Sequence, residues 1–288
     1  MMSESLRGAR VALLEARREN ELAQLVVRHG GVPICVPALR EVDLDCTPEA
    51  ARAIDAAGRP GAVVVLATGV GLDRWLSIAA ALGRATEIHD ALARATVVCR
   101  GPKPVAVLKR EKLTAHFRAP PPHTTSELLA SLEGVVVKDQ DVVFIHDGGG
   151  SRTVCDALER RGARVVDVQP YGWALPEDTE PLRALVRSIV SGGVDAIAVT
   201  TQVQAKHLFD VADSMGARAV LAEALRTRVV VAAVGPTSAQ ALEQLGTPAH
   251  VVPEQSKMGP LVLALVRAMQ DRSVPAPASA VTAGRSTS

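Results

Sequence analysis

The feature that most restricts the fold is an internal repeat. The run VVCRGPKPVAVL (97–108) returns as VVAAVGPTSAQAL (230–242): an apolar stretch, Gly-Pro, then a helical stretch ending in Leu. AVVVLATGVGLDRWL returns as DAIAVTTQVQAKHLF, with Thr201 opposite Thr68, Val203 opposite Val70 and Phe209 opposite Leu76. From about residue 141 the opening is replayed too, DVVFIHD for RVALLEA and RRGARVVDVQPY for RHGGVPICVPAL. TSELLASL and SKMGPLVLAL close the two series, each after a Pro-rich segment. Any two α/β units look somewhat alike, but several matches in one order mark a duplicated block.

Short β-branched runs alternate with stretches of helical period, which reads as α/β with parallel sheets. RVALLEA, VPICVPAL, AVVVLAT and ATVVCR are the expected strands of the first series. The expected helices start in RRENELAQLVVRHGG, where Leu22, Leu25 and Val26 share a face and Gly30-Gly31 ends the turn. Next come TPEAARAIDAAGRPG, begun by Thr47 and Pro48, then GLDRWLSIAAAL, KPVAVLKRE and TSELLASL. The fold class is therefore α/β with two similar lobes, each a parallel sheet flanked by helices. With 288 residues, 48% of them apolar, there is material for a core in each. Ligands of such sheets bind beyond the carboxyl ends of the strands, so function is sought at the strand-to-helix turns.

Composition narrows the partners. Three Phe, two Trp and one Tyr leave the cores to Val, Leu, Ile and Ala and single out Tyr171. A net charge of +1 argues against bulk attraction to nucleic acid or membrane, so an anionic ligand must be gripped locally. Cys35, Cys46, Cys99 and Cys155 form no C-x-x-C pair, MMSESLRGAR lacks the apolar stretch of a signal peptide, and no run is long enough for a membrane span. The expectation is a cytoplasmic monomer. SVPAPASAVTAGRSTS, from Ser273 to the end, is aperiodic and reads as a linker or disordered end.

Familiar sites are mostly dismissed. GVGLDR (69–74) has Arg74 where a dinucleotide loop needs its third glycine. HDGGGSR (146–152) lacks phosphate-loop spacing and is a flexible turn by default, although His146 and Gly148 stay among the candidate binding residues. Ser151 near His146 and Asp147 is not a nucleophile elbow. The seven histidines never fall at metal-ligand spacing, so neither metal nor cofactor is expected. What remains is a set of small polar turns at helix starts: Thr68-Gly69, Arg100-Gly101-Pro102-Lys103, Thr125-Ser126, Thr200-Thr201-Gln202 and Gly235-Pro236-Thr237. Each is a plausible helix cap by itself. As a set, with Arg100 and Lys103 adding charge, they suit a polyanion.

EARRENELAQLVVRHGGVPICVPAL, LATGVGLDRWL, VVCRGPKPVAVLK, TTSELL, VVDVQPYGWALP, DAIAVTTQVQAKHLF and VAAVGPTSAQALEQLG together resemble the uroporphyrinogen-III synthase family from residue 9 to 270. The resemblance implies two lobes joined by a two-stranded connector that the chain crosses twice, with 1–42 and 174–272 in one lobe and 43–173 in the other. It implies hydroxymethylbilane, a polycarboxylate, as substrate, with hydroxymethylbilane synthase as the upstream enzyme and no nucleic-acid partner. Tyr171 matches the family tyrosine that assists loss of the substrate hydroxyl; a connector aromatic beside Trp173 is the plainer reading. Thr68, Gly69, Arg100, Gly101, Lys103, Ser126, Thr201, Gln202 and Thr237 fall on the family's substrate-lining turns. Arg17 and Arg18, at the first strand-to-helix turn, are further carboxylate candidates. Where many members carry a T-S-x-N type turn this chain has ATGVG, and where they carry T-S it has VTTQV. Those departures, and the tail, also resemble regulators of nitrogen assimilation in which a synthase-like domain precedes a winged helix. A non-catalytic sensor is therefore the alternative.

Overall fold

The computed structural model describes residues 5–16, 18–149 and 151–271. The candidate Arg17 and the tail from Ser273 lie outside the described residues. The chain divides into two compact units, one holding residues up to Leu39 and again from Leu175, the other Arg40–Ala174. It therefore passes from one unit to the other twice.

The first unit opens with β1 (Arg10–Leu13), α1 (Glu19–Arg28) and β2 (Val32–Cys35). The second contains β3 (Arg40–Asp43), α2 (Thr47–Ala57), β4 (Val63–Leu66), α3 (Gly69–Ala81), α4 (Ala85–Arg94), β5 (Thr96–Cys99), α5 (Pro102–Arg110), β6 (Phe117–Arg118), α6 (Thr125–Glu133), β7 (Asp141–Ile145), α7 (Ser151–Arg160), β8 (Arg164–Val168) and β9 (Tyr171–Ala174). The first unit resumes with α8 (Glu180–Val190), β10 (Ala196–Val199), α9 (Gln202–Ser214), α10 (Arg218–Thr227), β11 (Val230–Ala233), α11 (Pro236–Gln244) and α12 (Met258–Asp271).

Each unit is a parallel sheet between helices, ordered β11-β10-β1-β2 in the first and β6-β5-β4-β7-β8 in the second. The duplication holds at the level of register. Ala196 pairs with Val230 as Val63 pairs with Thr96, and Val11 with Ala196 as Val142 with Val63. A lone parallel bridge, Ala232 to Val251, takes the place of Val98 to Phe117. Even the histidine before that edge repeats: Val97 N–H donates to His116 Nδ1 at 3.1 Å, and Val231 N–H to His250 Nδ1 at 3.0 Å.

Strands β1, β4, β5, β7, β10 and β11 are short and buried on both faces, as parallel sheets require, while the edges β2, β6 and β8 are partly open. Val64, Leu66, Val97, Val143 and Ile145 pack on one face with Trp75, Ile54 and Leu92. Val63, Val65, Val98, Val142 and Phe144 pack on the other with Leu128, Leu132, Val154 and Leu158. In the first unit Ala12, Ile197, Val199 and Val231 meet Leu208 and Phe209, while Val11, Leu13, Ala198 and Val230 meet Leu22, Val26, Leu261 and Leu265. Trp75 brings its indole N–H into the core and gives it to Ala50 O at 3.1 Å, which removes the cost of burying it. Helix α1 ends as its glycines predict: Gly30 adopts φ +73°, and Gly31 N–H returns to Val26 O at 3.0 Å.

Helices α4 and α10 and the short β6 are additions to the expected element series. The two helices occupy the same place in each unit, immediately before β5 and β11. Their apolar positions, Ile88, Ala91 and Leu92, and Leu221, Ala224 and Leu225, have the spacing of one helical face. Two strands stand apart from the sheets: β3 and β9 pair antiparallel, with Asp43 opposite Tyr171 and Glu41 opposite Trp173.

Candidate active site

The turn from β4 into α3 brings two candidate residues together. Thr68 is the N-cap of α3, and its Oγ1 accepts the Gly71 N–H at 3.0 Å. Tyr171, carried by β9, donates its hydroxyl to the same Oγ1 at 3.1 Å. Between two hydroxyls the phenol is the stronger acid and so the donor. With two donors already on its oxygen, the Thr68 hydroxyl has its own proton left to give. Gly71 makes room for the arrangement: a Cβ there would lie 2.9 Å from Thr68 Oγ1, 3.0 Å from Ile145 Cγ2 and 3.8 Å from Tyr171 Cε1.

The Tyr171 ring is 2% exposed and edge-on to Trp173, with centroids 5.7 Å apart at 77°. Its other neighbour is the Arg74 guanidinium, 5.2 Å from the ring centroid. Arg74 is held in turn by Glu41, at 2.5 Å, and by Asp43. Tyr171 is thus a buried connector aromatic whose hydroxyl reaches the Thr68 turn.

The neighbouring turns close around this one. A Cβ on Gly69 would lie 3.0 Å from the Lys103 carbonyl oxygen, so the starts of α3 and α5 approach closely at a position that crowds any larger residue. Gly101 in turn backs onto His123, whose ring carbons lie 3.5 Å from where its Cβ would stand. Thr68, Gly69, Gly101, Lys103 and Tyr171 thus share one neighbourhood. As an anion site the start of α5 is leaner than the sequence suggests. Pro102 and Pro104 have no N–H, so Lys103 supplies the single amide of the first three positions. Positive charge must come from the side chains, Lys103 exposed and Arg100 half-buried.

At α6 the cap is Thr124 rather than Thr125 or Ser126. Ser126 is exposed in the first turn, and its N–H is taken by Thr124 Oγ1 at 3.3 Å. Glu127 reaches back to the Thr124 hydroxyl at 2.5 Å and N–H at 2.8 Å, and these bonds hold its carboxyl below the usual range. This helix start already has its anion. His146 is buried at 1% exposure, where its ring packs on Phe144, accepts the Gly148 N–H on Nδ1 at 2.8 Å and bonds Asp167 through Nε2. Gly148 turns at φ +91° beside the Gln169 amide. Both belong to the support of the β7–α7 loop. Burial pushes the thiols of Cys99 and Cys155 up to about 12, with Asp167 adding to the effect at Cys155, so neither is a ready nucleophile.

In the first unit Thr201 caps α9, and a full capping box closes over it: Gln204 N–H to Thr201 Oγ1 at 3.3 Å and Thr201 N–H to Gln204 Oε1 at 3.3 Å, with Thr200 N–H adding a third bond to Gln204 Oε1 at 2.8 Å. Thr200 gives its hydroxyl to Glu15 at 2.5 Å. Gln202 sits half-buried in the first turn. Thr237 is exposed in the first turn of α11, whose Gly235 start carries no side-chain cap. Arg18 is exposed and forked onto Glu21 at 2.7 and 2.5 Å. Among the described residues no three His, Cys, Asp or Glu gather as a metal site, and no helix is long and apolar enough to cross a membrane.

Gly71, Arg74, Glu41, Asp43 and Thr124 are the site residues that sequence reading passed over. Thr68, Gly71 and Arg74 recur every three positions along one side of α3, a spacing visible in ATGVGLDRW once Tyr171 is known to lie against it.

The model of the family described as uroporphyrinogen-III synthase HemD matches residues 20–262. An uncharacterized protein of Bacillus subtilis (strain 168), YjjA, is 28% identical over 278 residues, which is 94% of this chain and 100% of that protein. A solved mutant uroporphyrinogen III synthase of the extremely thermophilic bacterium Thermus thermophilus is similar at a TM-score of 0.72 and 28% identity, over 92% of this chain and 100% of that one. The wild-type Thermus enzyme in another crystal form gives a TM-score of 0.55 at 29% identity, over 92% and 99%. Matched over most of its length by the family model, and built from the same two-lobed pattern of parallel sheets, the chain belongs to the uroporphyrinogen-III synthase family.

Proposed function

We propose that this chain is a working uroporphyrinogen-III synthase, cyclising hydroxymethylbilane to uroporphyrinogen III with release of one water. The observation that carries the reading is the pair of hydroxyls at Thr68 and Tyr171. A proton donor at the start of a helix is what a leaving hydroxyl needs, and the helix dipole there stabilises negative charge as it develops. In the reaction the terminal hydroxyl departs as water and leaves an azafulvene. The substituted carbon of the last pyrrole attacks it and forms a spiro intermediate, which fragments and recloses with that ring reversed before a proton is lost. The unguided closure at the unsubstituted carbon gives the symmetric isomer. Selectivity therefore rests on holding one conformation, and orientation is the larger contribution. Arg100 and Lys103 are assigned to substrate carboxylates. Thr68 is assigned as the donor nearest the leaving hydroxyl, with Tyr171 behind it. The bilane is short-lived, which makes supply by hydroxymethylbilane synthase the natural upstream step.

The test is to supply enzymatically made hydroxymethylbilane, oxidise the products and separate the isomers. An excess of isomer III is expected. Isomer I alone, at the spontaneous rate, would leave a synthase-like sensor in place of an enzyme. Tyr171→Phe is expected to slow ring closure roughly 10²-fold, the low end for loss of a general acid, with product affinity nearly intact. An unchanged rate removes Tyr171 from the chemistry.

A further inference from the structure

We infer that Arg74 is a positioning residue for the reaction, acting through Tyr171; the inference rests on the proposed synthase activity but is open to a separate physical test. The Tyr171 ring is bounded by Trp173, by the slot that Gly71 leaves and by the Arg74 guanidinium. Of these, Arg74 alone joins the helix that carries Thr68 to the strands that carry Tyr171. It leaves α3 two turns after the cap and grips Glu41 and Asp43 on β3, the strand that pairs with β9 in a register placing Asp43 opposite Tyr171. The distance between donor and acceptor oxygens is therefore set by an ion-pair clamp between two elements. Arg suits the task because its planar fork binds two carboxylates while its face covers a ring.

The clamp also has an electrical consequence. A cation over the ring face favours partial negative charge on the phenol oxygen as it donates. Against the ring stands the Arg74 guanidinium from α3, and the carboxylates that hold it are Glu41 and Asp43 from β3, with Asp43 at the register position opposite Tyr171. Removing the guanidinium takes away the favourable charge and leaves two carboxylates on the strand paired with β9 without that cation. Both changes oppose its ionisation. In the first unit, where Leu39 stands in the place of Tyr171, His207 replaces Arg74 and bonds the Ala38 carbonyl at 2.8 Å. The cation accompanies the tyrosine in the unit that has one.

Tyr171 is the chain's single tyrosine, so phenolate absorbance against pH reads this residue alone. Arg74→Gln is expected to move the midpoint up by about one pH unit, from the size of a partly desolvated cation–π contact. It should also lower kcat for isomer III roughly tenfold, with KM within a factor of about two. Arg74→Lys should recover part of both. Asp43→Asn keeps the cation, removes a carboxylate whose side chain is 82% exposed, and should move the midpoint the opposite way while the fold persists. Circular dichroism run alongside confirms that each variant stays folded. A midpoint that does not move in folded Arg74→Gln, or that moves the same way in Asp43→Asn, overturns the inference. The titration holds whether or not the native chain forms isomer III, so failure of the clamp and failure of the proposed activity remain distinguishable.

Discussion

After β4 and after β10 the chain makes the same turn, capped by Thr68 at φ −139°, ψ 149° and by Thr201 at φ −143°, ψ 154°. The side chains around the two caps differ in a concerted way. The second unit has Tyr171, Gly71 and Arg74 where the first has Leu39, Gln204 and His207. Gln204 satisfies its own turn and closes the cap. Gly71 leaves a gap that a distant tyrosine enters, and the cap oxygen then serves a second hydroxyl. At the opposite ends of the strands the halves stay alike, with the same histidine bond at His116 and His250. The duplicated scaffold keeps its bonds at one end of the sheets and changes the turns at the other, and a shared fold leaves such turns free to diverge.

The largest expected effect comes from exchanging the divergent residues. Gly71→Gln gives the second unit the capping residue of the first, but its Cβ enters space held by Thr68 and Ile145, and the rest of the side chain competes with the Tyr171 ring, 3.8 Å from that Cβ position. The expected cost is about 1–3 kcal/mol, the range for overpacking a filled site, with isomer III formation down by more than roughly 10²-fold. Adding Tyr171→Leu restores the partner that Gln204 has in the first unit. Stability should then recover in thermal unfolding while activity stays lost. A double variant no more stable than Gly71→Gln would show that Gly71 serves some purpose other than seating the tyrosine.

How far the sequence leads can be judged on these same residues. The parallel sheets are legible because VVVL and AIAV are buried on both faces, and continuous β-branched runs have no other stable place. Thr68 and Tyr171 are legible as candidates, one as a cap and the other through family resemblance. Their contact is not, because about a hundred residues separate them and no local pattern encodes it. Gly71 reads in sequence as part of a failed nucleotide loop, and Arg74 as the residue that spoils it. Each acquires its meaning from β9. Pro104 is the reverse case: its missing N–H is plain in GPKP, yet the weakness of α5 as an anion site emerges only when amides are counted one by one.

A smaller effect tests the strand starts, where the units use opposite signs. Asp141 at the head of β7 accepts from Arg164 at 3.1 and 2.8 Å and from Arg59 at 3.1 Å, whereas Arg10 at the head of β1 forks onto Asp195 at 3.0 and 2.9 Å. Arg164 first, then Arg59, holds the Asp141 carboxyl below its ordinary range, and Arg10 does the same for Asp195. A depressed carboxyl stabilises the fold above its unfolded pKa and loses that contribution as pH falls through the folded value. Both pairs should therefore weaken in acid and be indifferent to neutral or alkaline pH. The Asp141 side chain is 6% exposed against 36% for Asp195. Asp141→Asn should cost about 2 kcal/mol, since it strands two guanidinium partners around a buried group, and Asp195→Asn about 1 kcal/mol. Urea unfolding at neutral pH and again below the carboxylate range measures both. Equal costs, or a difference that persists in acid, would mean that burial does not set the contrast.

The smallest effect is an expected equality. His116 and His250 each accept one strand N–H on Nδ1 and return their own N–H to the same residue at 2.8 Å. Replacing either with Ala removes one acceptor from a buried valine, Val97 or Val231, and keeps the backbone half of the exchange; at His250 it also removes an exposed Nε2 contact to the Arg226 carbonyl at 3.3 Å. Both imidazoles are exposed, so water can take the vacated place, and the loss should be about 0.5–1 kcal/mol in each case. The clean readout is hydrogen exchange at the two valine amides, which should quicken by the same factor in His116→Ala and His250→Ala. The bonds to the strand amides match in length and partner, while the turns at the far end of the adjacent strands, β4 and β10, do not. Unequal exchange would therefore show that divergence has spread from the ligand end of one sheet into its scaffold, and the contrast drawn between the two ends would fail.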